Sequence, residues 1–569
     1  MKNPGEPQDA IVRSEIDGIA EAVESFLSGA IRPEEFRRRR VVMGIYPIRG
    51  GADRYLVRVR IPLGRISPPQ LRALAGTADR FSSGGGVHLT TRQDVHIYGI
   101  GMRQLPDALR SLWAAGLTTR EACGDTVRNV VLCPFAGLSP GEVFDVTPYA
   151  RAIGSYLLRH PLWQRLPRKF KIGFEGCRSG DHAGLPYQDA GVRAVVSPEG
   201  VPGFRVLAAG GLGALPHPGL TLEPFTPASR LWPTVTALLS VFDRMGNREN
   251  RGRARLKFIA QSMGAEAFRQ RVLAERETIE AAEAGRLPDL SEPRVSAGGP
   301  PLEPASLPGW PSALRQRQEG LVALPARVPL GDLSSMQLRA LAEAAEESGA
   351  EVRLTPAQGI VLADVPMAKG EWTARFLRDR GFRSGQAVSL VRCAGTDTCT
   401  VGITRVRGLA ALLEEEILSS DRTAHRRGSV SIGISGCPNG CGHHLVKDIG
   451  LVGAARNMDG RLAPHYMLHL GGGRRDGAVS FGTPIGRIAA RRVPQAVERL
   501  LVLLDEEGQD GESAGETFTR LGRDRCAEPL KDLLEEDRMR YREEDFFDLG
   551  ISSPEPFPAA RTGPKPPSG

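Results

Sequence analysis

The sequence predicts an internally duplicated α+β protein, and three observations carry that prediction. VRIPLGRISPPQLRALA, from Val59, returns as ARVPLGDLSSMQLRALA, from Ala326. VHLTTRQDVHIYGI, from Val87, returns as VRLTPAQGIVLADV, from Val352. FKIGFEGCRSGDHAGLPYQDAG, from Phe170, returns as VSIGISGCPNGCGHHLVKDIG, from Val430. In each of the first two pairs a helix-like stretch runs into an extended segment whose apolar positions suit a half-buried strand, so both copies read as strand, helix, strand. Two halves of one design, packed about a pseudo-twofold axis, account for a repeat that covers most of the chain.

The 569 residues exceed what one core holds and correspond to about four domains at roughly 150 residues each. Basic side chains number 74 against 66 acidic ones, a net charge of +8 that suits an anionic ligand better than a nucleic-acid coat. The run RRRR at 37 to 40 reads as a solvated helix face. MKNPGEPQDAIVRSE lacks the apolar core of a secretory signal, and no stretch approaches the length of a membrane span, so a cytoplasmic protein is expected, with neither nucleic acid nor membrane as partner. Residues 283 to 312 are rich in proline and glycine and read as an extended linker, and SSPEPFPAARTGPKPPSG at the end reads as a disordered tail.

The copies have diverged in opposite directions. Cys393, Cys399, Cys437 and Cys441 of the second half stand opposite Cys133, Ser139, Cys177 and Asp181 of the first. Arg128, Lys169 and Lys171 of the first half stand opposite Val388, Ser429 and Ser431, and in the preceding repeat Arg58 faces Pro325 and Arg92 faces Ala357. One side of a shared cleft would then present four sulfurs and the other a group of cations. Lys169 and Lys171, two apart, lie on one face of a strand.

The sulfur pattern is C-x5-C followed, after a gap, by C-x3-C. Structural zinc prefers closer pairs, and a thioredoxin-like disulfide leaves Cys393 and Cys399 without a role. Four thiolates with no histidine in the pattern fit an iron–sulfur cluster best, with zinc and plain structural thiols as the competing readings. His443 and His444 are set aside as ligands because the sulfur set is complete without them. Cys123 and Cys526 match no ligand pattern and read as small core residues.

Together, CAGTDTC and SGCPNGCGHHLVKDIGLVG resemble the signature of the siroheme-containing nitrite and sulfite reductases. LVRVRIPLGRIS, LTTRQDVHIYGI, VRNVVLCP, LPRKFKIGF and YMLHLGGG are similar to further family segments in the same order. The resemblance implies two ferredoxin-like half repeats paired into one domain, plus two siroheme/iron-sulfur α/β domains related by pseudo-twofold symmetry. The expected boundaries are an N-terminal extension 1–45, half repeat 46–113, siroheme and substrate domain 114–282, linker 283–320, half repeat 321–380, [4Fe-4S] and siroheme domain 381–510, and a C-terminal extension 511–569.

The resemblance further implies that Cys393, Cys399, Cys437 and Cys441 bind a [4Fe-4S] cluster, the Cys441 sulfur also ligating the siroheme iron. Pro438 and Gly440 would shape the turn that aims two of those sulfurs. Arg58, Arg128, Lys169 and Lys171 match the family positions around the substrate. Arg92, Gln93, Asn439 and the run NRENRGRARLK, with Arg248, Arg251, Arg253, Arg255 and Lys257, become candidate partners of the siroheme carboxylates. His88 and His96 depart from the family pattern, where Arg and Gln are common. The implied reaction is the six-electron reduction of sulfite to sulfide or of nitrite to ammonia. Lys171 favours sulfite, because nitrite reductases of the family often carry Asn there and a further cation suits a dianion. No dinucleotide fingerprint opens a helix after a strand, so a ferredoxin, or else a flavoprotein subunit, is the expected donor. A precorrin-3B synthase-like oxygenase and a non-catalytic iron–sulfur carrier are the competing classes.

Overall fold

The computed structural model describes residues 6–51, 53–282, 292–296, 298–385, 388–418, 430–458, 460–475, 478–534, 541–550 and 557. The expected tail lies, apart from Phe557, outside the described residues, as do Ser429 and the first part of the expected linker.

Each half repeat folds as an antiparallel sheet under helices. The first sheet runs Ile45–Pro47, Arg54–Val59, Val95–Gly101, Gly86–Leu89, and the second Leu314–Arg315, Leu321–Arg327, Ile360–Pro366, Glu351–Leu354. Each is completed by a short strand from the other copy: Asp332–Ser334 pairs with Gly86–Leu89, and Arg65–Ile66 pairs with Glu351–Leu354. The exchange follows from the shared Pro-Leu-Gly turn. Leu63 and Leu330 both take left-handed backbone there, at φ 59° and 56°, which turns the chain across to the neighbouring sheet. Directly after it the helices Pro68–Phe81 and Ser335–Ser348 begin, each with a Ser-x-x-Gln box. Gln70 Oε1 accepts from the Ser67 N–H at 3.1 Å, and Gln337 Oε1 from the Ser334 N–H at 3.0 Å. Leu71, Leu74, Ala75, Ala78 and Phe81 line the buried face of the first helix at i, i+3, i+4 spacing. Both half repeats share one apolar core.

Two residues tie this paired domain to the rest in the same way. Gln93 and Gln358 both have positive φ, at 56° and 61°. The Gln93 amide donates to the carbonyls of Leu132 (2.9 Å) and Leu354 (2.8 Å) and accepts from the Leu132 N–H (2.9 Å). Gln358 donates to the Leu89 carbonyl (2.8 Å) and accepts from the Arg392 N–H (2.7 Å). Each glutamine thus crosses to the opposite half repeat and to the α/β domain of its own copy.

The α/β domains repeat one topology. In the first, the strand order is Val131–Leu132, Ile172–Glu175, Ala190–Val196, Pro202–Ala208, Leu220–Pro227, and in the second Val388–Arg392, Val430–Ser435, Ile449–Met458, Arg461–Leu470, Thr483–Ala489. In both, the first three strands are parallel and the last two antiparallel. Each sheet buries its own core. Tyr187 and Leu212 of one meet Leu445 and Val446 of the other in a small apolar contact.

Three expectations need correction. The described part of the proline-rich segment is not a free linker: Ala305, Leu307, Trp310 and Ala313 are buried in the half-repeat core, and Trp310 Nε1 donates to the Pro325 carbonyl at 3.0 Å. A fully buried tryptophan holds such a segment down whatever its proline content. The N-terminal extension carries the helix Glu6–Leu27, whose Val12, Ile16, Ile19 and Val23 join the same core. Of the four arginines at 37 to 40, the last is buried, donating to the Ile45 carbonyl at 2.9 Å.

Candidate functional site

The cleft lies where the cysteine loops that follow the parallel strands of the second α/β domain meet Arg128, Lys169 and Lys171, which precede the parallel strands of the first, and the Thr91–Arg92 loop of a half repeat. Cys393 follows the strand Val388–Arg392, and Cys437 and Cys441 follow Val430–Ser435. The Cys393 sulfur accepts from the N–H groups of Gly395 (3.3 Å) and Gly436 (3.1 Å). Gly440 has the left-handed φ of 69° that lets the chain turn between Cys437 and Cys441. Gly442 packs so closely on the Ile434 carbonyl that a side chain has no room there. Across the cleft, the Thr91 hydroxyl donates to the Cys441 carbonyl at 3.3 Å. Arg49, which sequence reasoning missed, fastens the other cysteine loop through its backbone N–H to Thr398 O (3.1 Å) and its guanidinium to Gly402 O (2.9 Å).

Among the described residues these four cysteines form no single-ion cage of mutually close donors. Four thiols on two loops, one pair as widely spaced as C-x5-C, suit a cluster better than one zinc ion. Burial pushes the Cys393 thiol up to about 12, with Cys441 adding to it, and burial likewise raises Cys399 and Cys437. Thiols so reluctant to ionise alone become ligands when a metal takes their protons' place. The N–H groups aimed at the Cys393 sulfur fit the same purpose, since hydrogen bonds to sulfur tune a cluster's potential. The residues present therefore fit a [4Fe-4S] group.

Facing the sulfurs is a set of cations with too few anions. Arg128 donates from Nη1 to the Ala122 carbonyl (3.0 Å) and from Nε and Nη2 to the Gly124 carbonyl (3.1 and 2.8 Å). Arg58 donates from Nη1 to the same Ala122 carbonyl (3.2 Å) and from Nε to His96 Nε2 (2.8 Å), so the two guanidiniums are fixed around one acceptor. Burial, opposed by the Cys441 sulfur and reinforced by Arg128 and Arg255, brings Lys169 down to about 7. Burial with Arg92, Lys169 and Arg255 brings Lys171 well below the usual lysine range. Like charges held together at this cost fit an anion that arrives from outside: substrate oxygens and the carboxylates of siroheme.

Arg92 donates to Gln188 Oε1 (2.7 Å) and to the Asn129 carbonyl (3.1 Å) on the cleft wall. Burial, eased by Asp94, lowers it to about 10. Asn439 lies on the exposed turn beside Cys437, where its polar groups oppose the burial that raises that thiol. Gln93 is not available to a cofactor: it is fully buried and its amide is spent on backbone groups. Arg248 and Arg251 are exposed and already engaged with carboxylates. Arg248 is 48% exposed and paired with Asp243 at 2.6 Å, and Arg251 is 55% exposed and forked onto Asp125 at 2.8 and 3.1 Å. From the same run, Arg255 and Lys257 are the buried members. Arg255 pairs with Asp189 at 2.9 Å, and Lys257 donates to the Leu212 carbonyl at 3.2 Å.

The basic group is not confined to the first half. Lys447 and Arg474 of the second join Lys171 and Arg92 around His443, and together with burial they hold that imidazole neutral. Arg474 donates to the Tyr187 hydroxyl at 3.2 Å, and the Tyr187 and His443 rings stand 5.3 Å apart. Their one sequence signal was the pair of flanking motifs, KDIG and LGGG. His444 is hydrogen-bonded to Ser435 at 2.9 Å. His88 meets Asp332 at 2.8 Å and Gln358 at 3.0 Å, within the joint between half repeats.

A duplicated α/β scaffold with four thiols on one wall of a cleft and unneutralised cations on the other defines a metal-dependent enzyme acting on a small anion. Comparison with known proteins narrows the class. Residues 123–280 match the model described as the nitrite and sulphite reductase 4Fe-4S domain, and residues 46–115 and 314–376 match the nitrite/sulfite reductase ferredoxin-like half domain. A ferredoxin–nitrite reductase of Synechococcus elongatus is 30% identical over 86% of this chain and 95% of its own length. A ferredoxin sulfite reductase of Mycolicibacterium paratuberculosis is 30% identical over 74% of this chain and 73% of its own length. The solved structure of the Mycobacterium tuberculosis NirA protein aligns with a TM-score of 0.76 at 25% identity, covering 90% of this chain and 95% of that one. The chain belongs to the siroheme and [4Fe-4S] nitrite and sulfite reductase family, and the fold has the duplicated α+β form expected of it.

Proposed function

We propose that this chain catalyses the six-electron reduction of a small oxyanion, sulfite to sulfide in preference to nitrite to ammonia, with electrons delivered singly by a ferredoxin. The observation that carries the reading is the gathering of Arg58, Lys169 and Lys171 within electrostatic reach of the Cys441 sulfur, with Arg128 fixed beside Arg58 on the shared Ala122 carbonyl. An electron carrier has no use for such a group, and a macrocycle hydroxylase would not need it so compact. We assign Cys393, Cys399, Cys437 and Cys441 to the cluster and Cys441 also to the siroheme iron. Arg92, Arg255, Lys257, Lys447 and Arg474 are assigned to the siroheme carboxylates. When bound, the coupled pair supplies stored electrons and an iron to which the substrate binds.

The chain's own part is electrostatic and protolytic. Arg58 and Arg128, locked by backbone carbonyls, bind substrate oxygens without reorganising. The ammonium groups of Lys169 and Lys171, made more acidic by burial and each other, donate protons to oxygen atoms leaving as water. Lys171 supports the sulfite preference by charge complementarity. The ferredoxin donor is supported by the relatives' names, and among the described residues no helix is long and apolar enough to cross a membrane. The domain boundaries given above are retained for the α/β domains, with 1–45 and the later part of 283–320 counted with the half repeats.

The test is the ratio of kcat/KM for sulfite and nitrite, measured anaerobically with a chemical one-electron donor in the parent enzyme and in Lys171→Asn. The expected result is a parent preference for sulfite that falls about tenfold in the variant, a loss of about 1.4 kcal/mol of discrimination. An unchanged ratio removes Lys171 as the discriminating cation.

A further inference from the structure

The first α/β domain places four donor atoms together at the position that mirrors the cluster site. Cys133 and Cys177 follow the neighbouring parallel strands Val131–Leu132 and Ile172–Glu175, as Cys393 and Cys437 follow their counterparts. The backbone match is close. The Cys133 N–H donates to the Phe174 carbonyl at 3.0 Å, as the Cys393 N–H does to the Ile434 carbonyl at 3.0 Å. The His182 N–H donates to Glu175 Oε2 at 2.7 Å, where the Gly442 N–H donates to the Ser435 hydroxyl at 3.0 Å. At the two remaining cluster positions the first copy has Ser139 and Asp181. Neither is a thiol, so the sulfur set for a cubane is incomplete.

The substitutions Glu175 and His182 replace the missing sulfurs with a different ligand set. The Cys133 and Cys177 sulfurs are 3.9 Å apart, His182 Nδ1 is 3.4 Å from the Cys133 sulfur, and Glu175 Oε2 is 3.3 Å from His182 Nδ1. All four donor atoms lie within 4.8 Å of one another. An ion with bonds of about 2.3 Å to sulfur and about 2.0 Å to nitrogen or oxygen has tetrahedral edges of roughly 3.8, 3.5 and 3.3 Å for these donor pairs. The observed separations follow that order and size. Glu175 is fully buried, and Oε1 accepts from the Cys177 N–H at 3.1 Å, so the carboxylate is held before any ion arrives. Cys133 and Cys177 are buried as well, while the His182 ring is 34% exposed and leaves a way in.

We propose that Cys133, Glu175, Cys177 and His182 bind one zinc ion, a structural metal site separate from the siroheme and the cluster. Two thiolates, an imidazole and a carboxylate close a four-coordinate shell, and that donor mixture selects zinc over magnesium or calcium. Loading releases two protons from the donor set. The resulting site carries one net negative charge, which the Arg193 guanidinium, donating to the Cys177 carbonyl at 2.9 Å, offsets. The ion braces the loop that runs on from Cys177 to Gln188 and Asp189, the residues that hold Arg92 and Arg255 on the cleft wall. This inference does not depend on which oxyanion is reduced.

The test uses anaerobically purified holoenzyme, prepared without chelators. Elemental analysis is expected to give about one zinc per chain in addition to the iron. Zinc-edge X-ray absorption is expected to show two sulfur ligands near 2.3 Å and two nitrogen or oxygen ligands near 2.0 Å. In Cys177→Ser the zinc falls at least tenfold while iron per chain stays at the parent value. Zinc that stays below a tenth per chain after anaerobic incubation with zinc alone overturns the proposal, as does a zinc spectrum with no sulfur ligand. A Cys133–Cys177 disulfide, or alkylation of both thiols in the native protein, overturns it too.

Discussion

The two α/β domains share strand order, strand polarity and the backbone bonds at the strand ends, yet those ends lead to four cysteines in one and to Cys133, Cys177 and His182 in the other, where Arg128, Lys169 and Lys171 precede the strands instead. The scaffold fixes where a side chain arrives and leaves open what it does there. Lys169 and Lys171 lead into the strand Ile172–Glu175, whose copy Val430–Ser435 leads out to Cys437, so on the proposed reading the duplicated scaffold supplies an anion-binding wall from one copy and an electron-storing wall from the other. The half repeats show the opposite behaviour. Gln93 and Gln358 share the residue type, the left-handed backbone and bonds to corresponding backbone groups, because each closes the joint between copies.

The comparison breaks most visibly at Cys441. Cys441→Ser is expected to abolish reduction of both anions and to lower iron per chain, measured by elemental analysis and visible absorbance, whereas the mirror change Asp181→Asn leaves the iron unchanged. Next in size is Lys169→Ala, for which kcat/KM is expected to fall about 10² to 10³-fold, the usual loss for a preorganised charge-stabilising donor. The parent's pH profile sharpens the point. Lysine carries its charge below its pKa, so kcat/KM is expected to fall as pH rises through about 7, and Lys169→Ala removes that limb.

Gln93→Ala and Gln358→Ala are expected to destabilise the protein by about 3 kcal/mol each, since both strand buried backbone groups, and chemical denaturation measures it. Unequal losses would show that the joint is less symmetric than its geometry. The smallest effect is expected at Arg248. Arg248 is exposed and paired with Asp243, so Arg248→Ala is expected to change stability by less than about 0.5 kcal/mol and leave siroheme content intact, while Arg255→Ala lowers that content.

The duplication, the strand–helix–strand reading and the four cysteines were legible because a repeat exposes itself by self-comparison and cysteine spacing is short-range. Burial was not. Nothing in NRENRGRARLK distinguishes Arg248, anchored to the end of the helix Ala228–Met245, from Arg255, turned inward onto Asp189. Gln93 sits beside Arg92 in sequence, yet its left-handed backbone turns the amide away from the cleft and into the domain joint. The proline-rich segment misled because composition reports chain stiffness, whereas Trp310 decides where the segment lies. Lys447 enters the site from the loop before Ile449–Met458 and Arg474 from the short strand Gly473–Arg475, and their meeting at His443 is a tertiary fact.

The most direct test of the account is anaerobic turnover of the cofactor-replete enzyme with a one-electron donor, quantifying sulfide from sulfite and ammonia from nitrite. The expected result is stoichiometric six-electron product from at least one anion, lost in Cys441→Ser and strongly reduced in Lys169→Ala. Protein that takes up electrons but forms neither sulfide nor ammonia would contradict the reading of the two walls as one reductase site.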